Sequence, residues 1–121
     1  MTAKTHTPLQ EITAPELKAD LDAGRVLLVD VREPHEYEAE RIPGALLVPL
    51  STFDAGCLPP DGDRRVVFQC GTGKRSAQAA GKRLLAGASR VAHLAGGIGA
   101  WKNAGLPLIV LDPASGGPVV K

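Results

Sequence analysis

A chain of 121 residues has room for one domain with one core. Hydrophobic residues make up 44%, which excludes disorder as the default, but aromatics are only 3%, so Leu, Val, Ile and Ala must fill the interior. A formal net charge of +1 argues against a general nucleic-acid binder, and no apolar run approaches the length of a membrane span.

The start, Met1 to Pro8, is polar and lacks the apolar segment of a signal peptide. Residues 1–7 and 112–121 are expected to be flexible tails around a single domain over 8–111. Two cysteines, Cys57 and Cys70, cannot build a disulfide framework and lack zinc-ligand spacing. No metal or cofactor is expected, and a cytoplasmic, reducing setting is the simplest inference.

Thr13-Ala14-Pro15-Glu16 reads as a capping box that opens a helix, with Leu17 and Leu21 at helical spacing and Gly24 stopping it. Val26 to Val31 is an apolar run suited to a strand buried on both faces, interrupted by Asp30. Pro34 then opens a short acidic helix. Glu33, Glu36, Glu38 and Glu40 read as caps and a solvated face, and His35 as a solvent-facing histidine. Arg41 to Ala45 is a turn into a short strand, Leu46 to Val48; Leu50 to Phe53 begins a short helix. Ala55 to Asp63 is a loop rich in turn residues, which leaves Cys57 with no following arginine and no glycine cradle.

The central stretch is Val66-Val67-Phe68-Gln69-Cys70-Gly71-Thr72-Gly73-Lys74-Arg75-Ser76-Ala77. Read as strand, loop and helix, it places Cys70 at the carboxyl edge of a strand, the ligand-binding edge of an open parallel sheet. Gly71 and Gly73 let the loop curl and aim N–H groups inward, and the new helix adds its own unpaired N–H groups. A thiolate is stabilised in such a field, and an anion fits beside it. From Arg64 to Arg90 there are seven basic residues (Arg64, Arg65, Lys74, Arg75, Lys82, Arg83, Arg90) and no acidic ones.

The helix after the loop carries Ala77, Ala80 and Leu84 at helical spacing, while Lys82 and Arg83 near its end are explained by the dipole and by solvent. Arg90 to Leu94 is a further strand, ending near His93, which can face a pocket. Gly96-Gly97-x-Gly99 lacks the Walker lysine and the dinucleotide spacing, so it is a weak nucleotide signal. A short helix with the single Trp101 and a Gly105-Leu106-Pro107 exit follow. Strands and helices alternate from Val26 to Gly105, which predicts an α/β domain with a mostly parallel sheet.

Three stretches resemble the rhodanese-like sulfurtransferases. The loop Cys70-Gly71-Thr72-Gly73-Lys74-Arg75-Ser76 follows that family's pattern of Cys, four residues, Arg, then Ser or Thr. Asp30, Arg32, Glu33, Glu36 and Ile42-Pro43-Gly44-Ala45 match its first signature, with Arg41 where the family usually has His. The Gly96 to Pro107 segment resembles the one with which such domains end. The resemblance implies a five-stranded sheet with helices on both faces. It further implies sulfur transfer through a Cys70 persulfide, from a small anionic donor such as thiosulfate to a thiol or cyanide, with a protein acceptor as a further possibility. Cys70 is then the nucleophile, and Gly71, Thr72, Gly73, Lys74, Arg75 and Ser76 bind the substrate. For Asp30 and Arg32, a buried structural pair is preferred to a direct role for Arg32 on substrate. A Cys-dependent phosphatase is disfavoured, because its loop has five residues between Cys and Arg. A non-catalytic binding or relay module of the same family is the remaining alternative, although Cys70 is present. Neither nucleic acid nor membrane is expected as a partner.

Overall fold

The computed structural model of the chain describes residues 9–54, 56, 58, 62 and 64–121. In chain order its elements are β1 (Leu9–Ile12), α1 (Ala14–Asp22), β2 (Val26–Asp30), α2 (Pro34–Ala39), β3 (Glu40–Arg41), β4 (Leu46–Leu47), a 3-10 turn (Leu50–Thr52), β5 (Arg65–Gln69), α3 (Lys74–Leu85), β6 (Val91–Leu94), α4 (Gly97–Asn103), β7 (Ile109–Leu111) and β8 (Pro118–Val120). Among the described residues no helix is long and apolar enough to cross a membrane.

Five strands form one all-parallel sheet in the order β1-β6-β5-β2-β4. Such a sheet needs cover on both faces, and alternate side chains of each strand supply the two sides. On one face Leu28, Val67, Ala92 and Leu94 pack with Leu17 of α1 and with Ile98 and Trp101 of α4. On the other, Val29, Val66, Phe68 and Val91 pack with Ala79 and Ala80 of α3. The expected α/β domain with helices on both faces is therefore present. The capping box also forms: the Glu16 amide donates to Thr13 Oγ1 at 3.2 Å, and the Thr13 amide donates to Glu16 Oε1 at 2.8 Å.

Three expectations change. Residues 112–121, read as a tail, fold back as a hairpin: β8 pairs with β7, which pairs with β3, in a small antiparallel sheet. The Asp, Gly and Pro that suggested looseness are turn residues here. Asp112 accepts from the Ala114 amide at 3.1 Å and from Ser115 Oγ at 3.0 Å, and Val119 and Val120 return as a strand. The buried face of α3 is Ser76, Ala79, Ala80 and Arg83 rather than Ala77, Ala80 and Leu84. Ser76 turns under the sheet edge, and the others follow at three- and four-residue spacing. Arg83 is thus buried, not solvated. Leu9–Ile12, given no structure from the sequence, is an edge strand paired to β6. Residues 1–7 of the other expected tail lie outside the described residues.

Arg41 sits in the small sheet with its guanidinium 4.9 Å from the centre of the Tyr37 ring, at the periphery of the fold.

Candidate active site

β5 runs between β2 and β6, so its carboxyl end opens at the middle of the sheet edge. Cys70 is the next residue and is only 1% exposed. The loop curls at Gly73, whose φ of 109° is closed to most residues. That curl aims the Gly73 N–H at Cys70 Sγ, 3.1 Å away. Ser76, in the first turn of α3, sets its hydroxyl 3.6 Å from the sulfur. Burial by itself pushes the thiol up. The Ser76 hydroxyl, then the backbone N–H groups of Ser76, Gly73 and Thr72, outweigh it and hold Cys70 below the ordinary thiol value.

The loop is held from behind by the turn into α4. The Ile98 N–H donates to the Cys70 carbonyl at 2.8 Å, and the Gly99 N–H to the Gly71 carbonyl at 3.3 Å. Gly97 makes this approach possible. A Cβ there would lie 2.3 Å from the Cys70 carbonyl oxygen, and its φ is 60°. Gly97 of this second turn serves the close packing of the two loops.

Lys74 and Thr72 are exposed at the rim. Arg75, expected beside the donor, is bound to Glu36 of α2 by hydrogen bonds of 2.7 and 3.0 Å. Glu36 also accepts from the Glu33 amide at 2.9 Å. The Arg75 hydrogen bond holds the Glu36 carboxyl down at about 2, against the opposing effect of burial. Glu36, read as a cap or part of a solvated face, does cap α2 and is in addition a partner of the loop.

Asp30 and Arg32 form the buried pair. Arg32 Nη2 donates to Asp30 Oδ2 at 2.8 Å and to the Glu40 carbonyl at 2.7 Å, with the Arg32 side chain 4% and the Asp30 side chain 0% exposed. Its fork is thereby engaged with protein groups. His35 is exposed. Cys57 lies outside the described residues. His93, by contrast, is buried at the site, with Nδ1 2.9 Å from Ser76 Oγ. Its signal in the sequence was a lone histidine in an apolar strand that ends at the same sheet edge as Cys70.

The family model described as a rhodanese-like domain matches residues 13–104. A sulfurtransferase of Allochromatium vinosum is 39% identical over 102 residues, covering 84% of this chain and 95% of that protein. The probable adenylyltransferase/sulfurtransferase MoeZ of Mycobacterium tuberculosis is 44% identical over 105 residues, which span 83% of this chain but only 26% of that protein. The crystal structure of a rhodanese-related protein from Thermoplasma volcanium superposes with a TM-score of 0.71 at 29% identity, over 82% of this chain and 96% of that one. With its parallel sheet, its cysteine at the central strand edge and this match over most of its length, the chain belongs to the rhodanese-like domain family.

Proposed function

We propose that the chain is a sulfurtransferase that carries one sulfur atom on Cys70 as a persulfide. The observation that carries this reading is the buried sulfur itself, facing the Gly73 N–H and the Ser76 hydroxyl and held below the ordinary thiol value. The Cys70 thiolate attacks the outer sulfur of thiosulfate. The new S–S bond forms as the old one breaks, and sulfite leaves with the electron pair. An acceptor thiolate or cyanide then attacks the outer sulfur of the persulfide, and the Cys70 thiolate departs. Two half-reactions on one enzyme give ping-pong kinetics. No general base is needed for an ionised nucleophile, and no external oxidant or cofactor enters the balance. Loop N–H groups hold the negative charge in both forms. Lys74 at the rim attracts the anionic donor, while Arg75, tied to Glu36, shapes the loop. Asp30 and Arg32 support the strand edge. A reducing compartment fits this chemistry, since it keeps Cys70 out of disulfides.

The match to part of MoeZ favours a second form of the same reading, in which the acceptor is a protein. Intact mass after brief exposure to thiosulfate separates these from a binding module. Wild type is expected to gain one sulfur, released by cyanide or a thiol, and Cys70→Ser to gain none. Release to cyanide with slow turnover on small thiols points to a protein acceptor. No gain with either thiosulfate or glutathione persulfide overturns the sulfurtransferase reading.

A further inference from the structure

Three groups surround the Ser76 hydroxyl: Cys70 Sγ at 3.6 Å, the Gly73 carbonyl at 3.2 Å and His93 Nδ1 at 2.9 Å. A hydroxyl has one hydrogen and can donate it to one of them at a time. The nearest of the three is the imidazole. His93 lies on β6 in register with Phe68 of β5 and Glu11 of β1, under the first turn of α3. Its ring is walled by the loop, for a Cβ on Gly73 would lie 3.9 Å from His93 Cε1. On its far side Nε2 is 3.3 Å from Glu11 Oε2. An ionised carboxylate only accepts, so Nε2 carries a hydrogen there, and the state of Nδ1 decides what Ser76 does.

A bare Nδ1 accepts the Ser76 hydrogen and turns it away from the sulfur. A protonated Nδ1 donates to Ser76 Oγ and leaves the hydroxyl hydrogen for Cys70 or the Gly73 carbonyl. A charged sulfur takes it in preference to a neutral carbonyl. We propose that His93 is a positioning residue: a hydrogen on its Nδ1 turns the Ser76 hydroxyl onto the Cys70 sulfur, and loss of that hydrogen turns the hydroxyl away. The charged group facing the ring is Glu11 from β1, and Cys70 from the end of β5 lies across the Ser76 hydroxyl from it. α3 presents Ser76, with Arg83 seven residues and about 10 Å further along the helix. α4 packs on the opposite face of β6, through Ile98 and Trp101. The inference takes its meaning from Cys70 as the sulfur carrier, but its test does not use sulfur transfer.

The test is the rate at which iodoacetamide alkylates Cys70, read on the Cys70 peptide by mass spectrometry from acid to alkaline pH. Wild type is expected to show two steps, one for the thiol and one for His93. His93→Leu leaves the Ser76 hydrogen no acceptor but the sulfur and the Gly73 carbonyl, so where the wild-type Nδ1 is bare it raises the rate on the acid side of the thiol step by about tenfold. His93→Asn keeps a polar partner for Ser76 that does not titrate, so it leaves one step. In a Ser76→Ala background, His93→Leu is expected to change nothing further. In the unmutated chain, coupling is reciprocal: alkylating Cys70 must make Nδ1 of His93 lose its proton more readily, seen by nitrogen NMR of the imidazole. Two steps surviving in His93→Asn, an equal effect of His93→Leu with and without the Ser76 hydroxyl, or an Nδ1 indifferent to alkylation each overturn the proposal. A chain that shows the coupling yet never gains sulfur overturns the sulfurtransferase reading instead.

Discussion

Two junctions at the carboxyl edge of the sheet are built alike and do opposite things. Each joins a strand to a helix through a left-handed glycine, Gly73 before α3 and Gly96 before α4. In the first, N–H groups converge on the Cys70 sulfur. In the second, the N–H groups of Ile98 and Gly99 bind the carbonyls of Cys70 and Gly71. A helix start is a source of free donors in either case. What differs is whether protein or solvent-borne chemistry meets them. One junction is open to reaction because the other is closed by it.

That division of labour can be broken most severely at Gly97. Gly97→Ala sets a methyl 2.3 Å from the Cys70 carbonyl oxygen, at a φ of 60°. We expect a loss of about 3 kcal/mol in urea unfolding. Displacement of the loop lowers the rate of sulfur loading by about 100-fold. Gly73→Ala is the matching change in the first junction. Its Cβ meets nothing closer than the Gly96 nitrogen at 3.6 Å, but its φ is 109°. The expected cost is backbone strain alone, about 1.5 kcal/mol by the same measurement.

Glu36→Gln tests the side-chain tie of the first junction apart from the backbone ties supplied by the second. The Glu36 carboxyl ordinarily titrates near 4.5 and is held at about 2 in the fold. A depressed carboxyl stabilises fully above its unfolded value and loses that contribution as pH falls from 4.5 towards 2. The pair is about a third exposed, with side chains at 35% and 28%, so solvent screening limits the gain to about 1 kcal/mol. Urea unfolding at neutral pH should show that loss in the variant, and the difference from wild type should vanish at the acid end. The smallest effect has the opposite sign. Gly99→Ala places a Cβ 3.6 Å from the Gly71 oxygen, an ordinary contact, inside α4. It should raise stability by about 0.5 kcal/mol. Destabilisation there would mean that the second junction tolerates no added atom, not only none at Gly97.

The parts legible in the sequence are those whose signal is local. The capping box of Thr13 and Glu16, the buried runs of β2 and β5, and the Cys70–Ser76 loop all declare themselves within a few residues. β1 does not: Leu9-Gln10-Glu11-Ile12 is a half-exposed edge strand with polar residues at its centre, and it exists because β6 is beside it. β3 and β7 are two and three residues long and pair across the chain. Partners brought together from distant positions were also out of reach. Glu36 and Arg75 are 39 residues apart, and Ser76 and His93 are 17. The roles of those residues depend on the sheet order, which no spacing in the sequence encodes.

The bonds from Ile98 and Gly99 also set the time at which the cysteine becomes unusual. A trans peptide points its C=O and N–H in opposite directions. Fixing the Gly71 carbonyl on α4 therefore fixes the Thr72 N–H on the sulfur side. Until the chain has been made through Gly99 and α4 has docked, these bonds do not hold that peptide, and Cys70 lacks the Thr72 N–H that adds to the stabilisation from Ser76 and Gly73. Full reactivity is therefore a late product of folding, and a chain without a docked α4 does not carry a fully armed cysteine.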